Sequence, residues 1–254
     1  MDIYSGFADV YDELMDNIPY DEWADYLCGL LAENNVNSGL VAELGCGTGN
    51  ITRILSQNGY DMIGIDYSEN MLDVARAKAA EDDKGDILYL CQDMREFELY
   101  GTVAAVVSIC DSINYITDEN DLLKVFKLVN NYLDPSGVFI FDFNTKHYYM
   151  DVVADATIAE DREDISFIWD NYYDEETDIN ELSLSLFIAE DEKDKLYRKY
   201  EELHLQKGYT VEKIKSLIEQ SGLSFLNAYD AFTHDAPHEA SERVYIVARE
   251  TGKK

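Results

Sequence analysis

The feature that most restricts the fold of this chain is an alternation of two hydrophobic patterns between residues 40 and 143. Short, nearly continuous apolar runs occupy 40–44, 62–65, 87–91, 103–110 and 138–143. Helical spacing of apolar residues occupies 51–55, 69–80 and 120–133, between those runs. Continuous apolar runs are typical of strands buried on both faces, which occur in parallel sheets covered by helices. The pattern therefore predicts a doubly wound α/β fold.

The flanking regions differ from this alternating part. The segment 20–33 spaces its apolar residues as an amphipathic helix, and 1–38 is expected to form a helical lid. Strict alternation of apolar and polar residues over 165–174 and 181–189, with the acidic turns DEETD and EDEKD, predicts an antiparallel insertion of three or four strands over 146–206. A helix over 210–220 and two strands then return to the main sheet, so 39–145 and 207–254 form the predicted core.

Net charge restricts the partners. The 52 acidic residues exceed the 20 Lys and Arg, which gives a net charge of −32. Such a polyanion is repelled by nucleic acid and by anionic lipid, so neither is an expected partner. The 46% of hydrophobic residues still supplies a core.

Four scattered cysteines without a CxxC pair, and no His at metal-ligand spacing, predict a reduced, cytoplasmic chain without a metal site. The N-terminal residues lack the pattern of a secretion signal. The longest apolar runs are also far shorter than the roughly 20 residues of a spanning helix, so no membrane span is expected.

The sequence ELGCGTGN, residues 43–50, contains the first chemical signal. Its glycines Gly45, Gly47 and Gly49 fall on the turn between a predicted strand and helix, where backbone N–H groups can approach an anionic ligand. A glycine-rich turn that only closes a βα unit is the alternative. The loop lacks the Gly-Lys-Ser/Thr ending of a P-loop, and Asn50 stands where a dinucleotide motif has its third glycine.

Two further signals follow on the next strands. Asp66 lies 21 residues after Gly45 at the end of an apolar run, where a carboxylate can accept hydrogen bonds from both ribose hydroxyls of an adenosine. A helix-capping Asp is the alternative. Asp93 and Met94, in CQDMREF, end the following strand, where an Asp can accept from an adenine amino group and a Met can flank the ring.

In this order, ELGCGTGN, Asp66 and CQDMREF resemble the class I S-adenosylmethionine-dependent methyltransferases over about residues 38–145 and the last two strands. The N-terminal YSGFADVYDELM and IPYDEW also resemble bacterial small-molecule methyltransferases, including amino-sugar N-methyltransferases. The resemblance implies a Rossmann-like seven-stranded sheet whose last strand is antiparallel. It implies S-adenosylmethionine as cofactor, with S-adenosylhomocysteine as product. The implied cofactor contacts are Tyr11, Trp23, Gly45, Cys46, Gly47, Gly49, Asp66, Tyr67, Met71, Asp93, Met94 and Cys110.

Some of these roles have a second interpretation. Tyr11 and Trp23 could instead pack a terminal helix on the core, and Glu43 could face the cofactor ammonium or cap backbone donors. Several relatives bind the cofactor carboxylate with an N-terminal Arg, but no Lys or Arg precedes Arg53 in this chain. Backbone amides and hydroxyl groups would have to replace it.

No catalytic residue is assigned, because in-line methyl transfer depends mainly on alignment and needs a base only when the nucleophile is protonated. The candidates for that base lie at the expected carboxyl edge of the sheet: Tyr115, Asp142, His147, His234 and His238.

The sequence therefore predicts methyl transfer to a small molecule, with an amine favoured by the negative charge. An NAD-dependent oxidoreductase and a non-catalytic interaction module are the two alternatives. The apolar face of the 146–206 insertion has two interpretations, a substrate cover or the interface of a homodimer.

Overall fold

A computed structural model describes residues 7, 8, 10–81, 86–191 and 196–253. It contains two sheets and six α-helices within those residues. The helices are α1 (Tyr11–Leu14), α2 (Tyr20–Glu33), α3 (Asn50–Gln57), α4 (Glu69–Glu81), α5 (Glu119–Tyr132) and α6 (Val211–Gln220). The strands are β1 (Gly39–Leu44), β2 (Tyr60–Asp66), β3 (Leu88–Cys91), β4 (Val103–Ser108), β5 (Leu133–Asn144), β6 (Thr157–Asp161), β7 (Ile165–Asp174), β8 (Ile179–Asp191), β9 (Leu196–Lys207), β10 (Leu223–Asp230) and β11 (Arg243–Glu250).

The main sheet has seven strands in the order β10-β11-β5-β4-β1-β2-β3. Strands β1 to β5 pair in parallel, whereas β11 is antiparallel to both of its neighbours, β5 and β10. The predicted Rossmann-like sheet with an antiparallel last strand is therefore confirmed. The strand order reverses between β1 and β4, so ligands are expected at the carboxyl ends of these two strands.

Helices cover both faces of the main sheet. On one face α2 buries Leu27, Leu30 and Leu31, which the sequence places at helical spacing, against the strands and α3. Each such leucine contributes roughly 1.5–3 kcal/mol by leaving water. On the other face α5 begins where the Asp118 side chain accepts hydrogen bonds from the backbone N–H groups of Asn120 and Asp121, and buries Phe126. In the part of the chain that is described, no helix has the length and apolarity needed to span a bilayer.

Helix α5 ends just before the stop signal DPSG, as predicted. The next strand, β5, was expected to begin at residue 138, after this signal, but it begins before it. β5 already begins at Leu133, which pairs with Val103, and the register shifts before Ala105 pairs with Val138. Ser136, inside this bulge, has a left-handed φ of 65° and donates its N–H to Glu250. The four residues of the DPSG signal, 134–137, therefore form a bulge within β5.

The insertion forms a second, antiparallel sheet in the order β6-β7-β8-β9. Residues 192–195, which include the last three residues of the predicted EDEKD turn, lie outside the described residues, as do 4–6 and 9 of the YSGFADVYDELM segment. The inner face buries Ile165, Leu184 and Leu186 in a cluster with Phe7 and Met71. Because this apolar face is covered within the chain, it is not available as the interface of a homodimer.

Candidate active site

The glycine loop joins β1 to α3 at the carboxyl edge of the sheet. Gly45 and Cys46 donate their N–H groups to the carbonyl of Ile65, which holds the loop against the end of β2. A Cβ at Gly45 would lie 2.5 Å from the Ser112 hydroxyl, so the close approach of the two loops requires glycine. Gly47, with φ of 53°, has no atom within 4 Å of a Cβ position and leaves open space. That space borders the cavity described below.

Asp66 ends β2 beneath this loop. Its Oδ2 accepts the Gly47 N–H at 2.8 Å, and its Oδ1 accepts the Ser68 N–H at 2.8 Å. Burial raises the pKa of this carboxyl, and the backbone donors oppose that effect. A carboxylate has about four lone-pair sites, so acceptor capacity remains for a ribose hydroxyl. The residue both holds the loop and keeps acceptor capacity.

The Glu43 side chain is buried near the carboxyl end of β1. It is 3% exposed and accepts a hydrogen bond from the Thr52 hydroxyl of α3. Burial raises the pKa of Glu43 to about 8, so the carboxyl is protonated at neutral pH. This geometry agrees with a residue that ties the loop to α3.

Asp93 and Met94 follow β3 on the neighbouring loop. Arg95 donates to both carboxylate oxygens of Asp93 at 2.9 and 3.0 Å, which lowers the pKa of that carboxyl. Met94 packs on the core beside Gly45. The Asp93 carboxylate is thus fixed in place by its own loop.

A cavity of 1490 Å³ lies between this edge of the main sheet and the inner face of the second sheet. All of the predicted cofactor contacts line it except Gly49. Gly49 instead begins α3, and a Cβ there would lie 2.5 Å from the Tyr89 hydroxyl and 3.1 Å from Ala75. Glycine is required at this position by helix packing, so the location of Gly49 gives no support to its predicted cofactor contact.

The N-terminal segment is tied to the glycine loop by Asp12. Its Oδ1 accepts from the Thr48 hydroxyl at 2.7 Å and from the Asn50 amide at 2.8 Å, and its Oδ2 accepts from the Lys78 ammonium at 2.6 Å. We call these four residues the Asp12 latch. Asn50, which the sequence marked only as a departure from a dinucleotide motif, is therefore a member of this latch.

Tyr11 and Trp23, which are predicted to contact the cofactor, both line the cavity. Burial raises the pKa of Tyr11, and its hydroxyl bonds to that of Tyr20, a cavity residue that the sequence did not indicate. Trp23 is 8% exposed and packs on the Arg243 guanidinium at 5.0 Å and on Phe232. Trp23 thus packs against its neighbours, and contact of either residue with the cofactor stays a prediction.

A buried cluster of charged side chains lies beside Cys110, and the sequence analysis did not predict it. The Arg243 guanidinium of β11 donates to Asp142 at 2.5 Å and to Asp111 at 2.8 Å. Gln206 of β9 donates to the second oxygen of Asp111 at 2.8 Å. Cys110 and Asp111 both have left-handed φ angles, 61° and 52°, at the end of β4. Strained non-glycine residues of this kind cluster at functional sites.

Of the candidate bases predicted from the sequence, one lines the cavity and the other four do not. Tyr115 lines the cavity and is 38% exposed. Asp142 is wholly buried against Arg243, and His147 pairs with Asp151 at 2.8 Å outside the lining. His234 contacts Glu33 on an exposed loop, and His238 lies on the same loop. Another histidine, His204 of β9, lines the cavity and was not considered from the sequence.

The known proteins that this chain resembles are methyltransferases. The model of the family described as "Methyltransferase domain" matches residues 41–137. The Bacillus subtilis (strain 168) protein YqeM, which its name assigns to the methyltransferases, is 36% identical over 252 residues, covering 98% of each chain. A Streptomyces venezuelae dTDP-3-amino-3,4,6-trideoxy-α-D-glucopyranose N,N-dimethyltransferase is 26% identical over 61% of this chain and 62% of its own.

Among solved structures, an S-adenosylmethionine-dependent methyltransferase from Clostridium acetobutylicum superposes with a TM-score of 0.87. The two sequences are 28% identical, and the match covers 98% of this chain and 99% of the other. The similarity therefore includes both sheets.

Proposed function

The chain belongs to the S-adenosylmethionine-dependent methyltransferases, and from that membership we propose that it methylates the amino group of a small molecule inside the cavity between its two sheets. The observation that carries this proposal is the charge of the cavity wall. The described residues that line it include nine carboxyl side chains, of which Glu43 is protonated at neutral pH, against three arginines and no lysine.

The three arginines offset only part of this charge, and each is already paired with carboxylates. Arg95 is held by Asp93, and Arg243 by Asp111 and Asp142. Arg162 is held by Asp16 at 3.1 Å and by Glu160. A phosphorylated or carboxylated acceptor would meet net repulsion in such a cavity, whereas an ammonium group is attracted.

The residues at the Gly47 side of the cavity fit the cofactor. Asp66 has acceptor sites for ribose hydroxyls, Tyr67 and Met71 flank the adenine in this assignment, and Asp93 with Met94 lies at its edge. Hydroxyls of Tyr11 and Tyr20 and loop amides replace the missing arginine at the cofactor carboxylate. When bound, S-adenosylmethionine supplies an electrophilic methyl group on a sulfonium.

At the other side of Cys110, the cavity continues under the second sheet, and we assign this part to the acceptor. Its wall combines Asp111, Tyr115 and Gln206 with the aromatic side chains of Phe167 and Trp169. Carboxylates that bind an ammonium, beside apolar surface for the rest of the molecule, are typical of small-molecule sites. The Streptomyces relative named above acts on an amino sugar according to its name, which supports an amine acceptor.

Methyl transfer from carbon-13-labelled S-adenosylmethionine into separated cell fractions tests this proposal. We expect label in the dialysable small-molecule fraction, with a product carbon shift characteristic of an N-methyl group. Label confined to protein or nucleic acid, or found only on oxygen or carbon, would show that the amine assignment is wrong. A parallel reaction with excess S-adenosylhomocysteine is the control for enzyme-dependent transfer.

A further inference from the structure

In strand β9 the polar side chains are buried and the leucines are exposed, which is the reverse of what a hydrophobic pattern predicts. Leu203 and Leu205 point outward and are 52% and 42% exposed, whereas His204 and Gln206 point inward and are 4% and 6% exposed. Glu202 shares the inward face, and its side chain is 5% exposed. A strand packed only for stability would bury its leucines. The inversion costs free energy, because buried charged groups lose hydration.

The inward side chains form a connected set. The His204 Nε2 lies 3.2 Å from the Glu202 Oε2, and its Nδ1 lies 3.2 Å from the Tyr115 hydroxyl oxygen. The Phe7 ring packs on the imidazole at a centroid distance of 6.0 Å. The imidazole therefore bridges a buried carboxylate and a hydroxyl that borders the cavity.

Tyr115 is placed by a buried asparagine next to it. The Asn114 amide donates to the carbonyls of Asn144 and Lys207, both at 2.8 Å, and its oxygen accepts the Asn144 N–H at 2.9 Å. These bonds fix the turn Ser112–Tyr115 to the ends of β5 and β9 together. The same turn begins one residue after Asp111, so Tyr115 and the Asp111 carboxylate border the same part of the cavity.

We propose that Tyr115, His204 and Glu202 form a proton relay that deprotonates the acceptor, with Tyr115 as the catalytic residue and the other two as positioning residues behind it. The inference rests on the proposed function, since it assigns the base for a protonated amine. Glu202 lies beside the Nε2 edge of His204 as an ion-pair partner, which favours a proton on Nε2 and leaves Nδ1 to accept the Tyr115 proton. The arrangement uses the logic of a carboxylate–imidazole–hydroxyl triad.

The proton and electron pairs balance in this step. A proton of the bound ammonium passes to the Tyr115 oxygen while the Tyr115 proton passes to His204 Nδ1. The freed nitrogen lone pair forms a bond to the methyl carbon, and the carbon–sulfur bond breaks with its electron pair left on sulfur. The imidazolium, stabilised by Glu202, returns its proton through Tyr115 to solvent when the product leaves.

Nitrogen-15 NMR of the histidine side chains tests the relay without any acceptor. The chain has four histidines, and His204→Gln assigns the signal. In mildly alkaline buffer, where free imidazole is neutral, we expect an Nε2–H tautomer for His204 and a shift of its Nδ1 signal in Tyr115→Phe. An Nδ1–H tautomer, a permanent imidazolium, or an unchanged signal in Tyr115→Phe would overturn the proposal. Tyr172→Phe, on the outer face of β7 and 58% exposed, is the matched control.

Methyl transfer into the dialysable fraction gives the second readout. We expect Tyr115→Phe and Glu202→Gln to lower kcat by about 10²–10⁴-fold and about 10-fold or more, respectively, with unchanged affinity for S-adenosylhomocysteine. Glu201→Gln, on the exposed face of the same strand, should retain the wild-type rate. A wild-type kcat in Tyr115→Phe would refute the relay. If the wild-type protein transfers no label while the NMR result is as expected, the proposed acceptor is wrong and the relay geometry stands.

Discussion

At the residue scale, Asp66 holds the glycine loop, and in the proposed assignment it also offers acceptor sites to the cofactor ribose. Asp66→Ala removes both, and we expect the affinity for S-adenosylhomocysteine to fall about 100-fold, as for two hydrogen bonds to a charged group. Isothermal titration calorimetry measures this change. Asp61→Ala, at an exposed position of the same strand, should bind as the wild type does. Equal affinity in Asp66→Ala would remove the ribose assignment.

Glu43 makes stability depend on pH. Burial raises its pKa from the ordinary value of 4.5 to about 8 in the folded protein, so the folded state holds a proton that the unfolded state loses between these values. Stability should therefore fall as pH rises through that window, by up to about 1.4 kcal/mol per pH unit from this group.

Glu43→Gln cannot ionise and tests that dependence. Its free energy of unfolding, measured by urea denaturation from about pH 5 to pH 8, should increase relative to the wild type as pH rises. A constant difference between the two proteins across this range would contradict the raised pKa.

The sequence predicted those residues that act within one βα unit. The glycine loop and Asp66 are separated by one helix and one strand, so local patterns place both at the same sheet edge. Arg243 bonds to Asp142 and Asp111, which lie 101 and 132 residues away. Only the antiparallel docking of β11 on β5 brings these charges together, and no spacing in the sequence encodes it.

The Asp12 latch acts at the scale of elements, because it joins the N-terminal segment to the glycine loop and α4. Lys78→Met removes its cation and should weaken binding of S-adenosylhomocysteine about tenfold, mainly through faster dissociation. Stopped-flow displacement measures the rate. Arg76→Met lies on the same helix in exposed pairs with Glu69 and Asp73, and it should leave dissociation unchanged. Equal dissociation rates for the two variants would show that the latch does not retain the cofactor.

The strands of the second sheet were predicted unequally. Alternation over 165–174 and 181–189 indicated β7 and β8 correctly, because their apolar residues face inward. Applied to β9, the same rule would place Leu203 and Leu205 inside, and the structure has the reverse. Buried polar residues replace the apolar face there, so the hydrophobic pattern gives no sign of the His204 and Glu202 pair.

At the scale of the whole molecule, the net charge of −32 and the acidic cavity favour cations. S-adenosylmethionine carries one more positive charge than S-adenosylhomocysteine. Added salt should therefore weaken binding of S-adenosylmethionine more strongly, because the Debye length falls from about 10 Å at 0.1 M to about 3 Å at 1 M. Calorimetric titrations of both molecules at several salt concentrations measure the ratio of their affinities. A ratio independent of salt would mean that the acidic groups do not act on the cofactor.

The central claim is that the cofactor lies along the glycine loop and turns its sulfur toward the acid-lined space under the second sheet. A crystal structure of the complex with S-adenosylhomocysteine tests this directly. We predict ribose hydroxyls on Asp66, adenine beside Asp93 and Met94, and sulfur next to Cys110 on the side of Tyr115. An adenosine bound under the second sheet, with Asp66 untouched, would contradict the account.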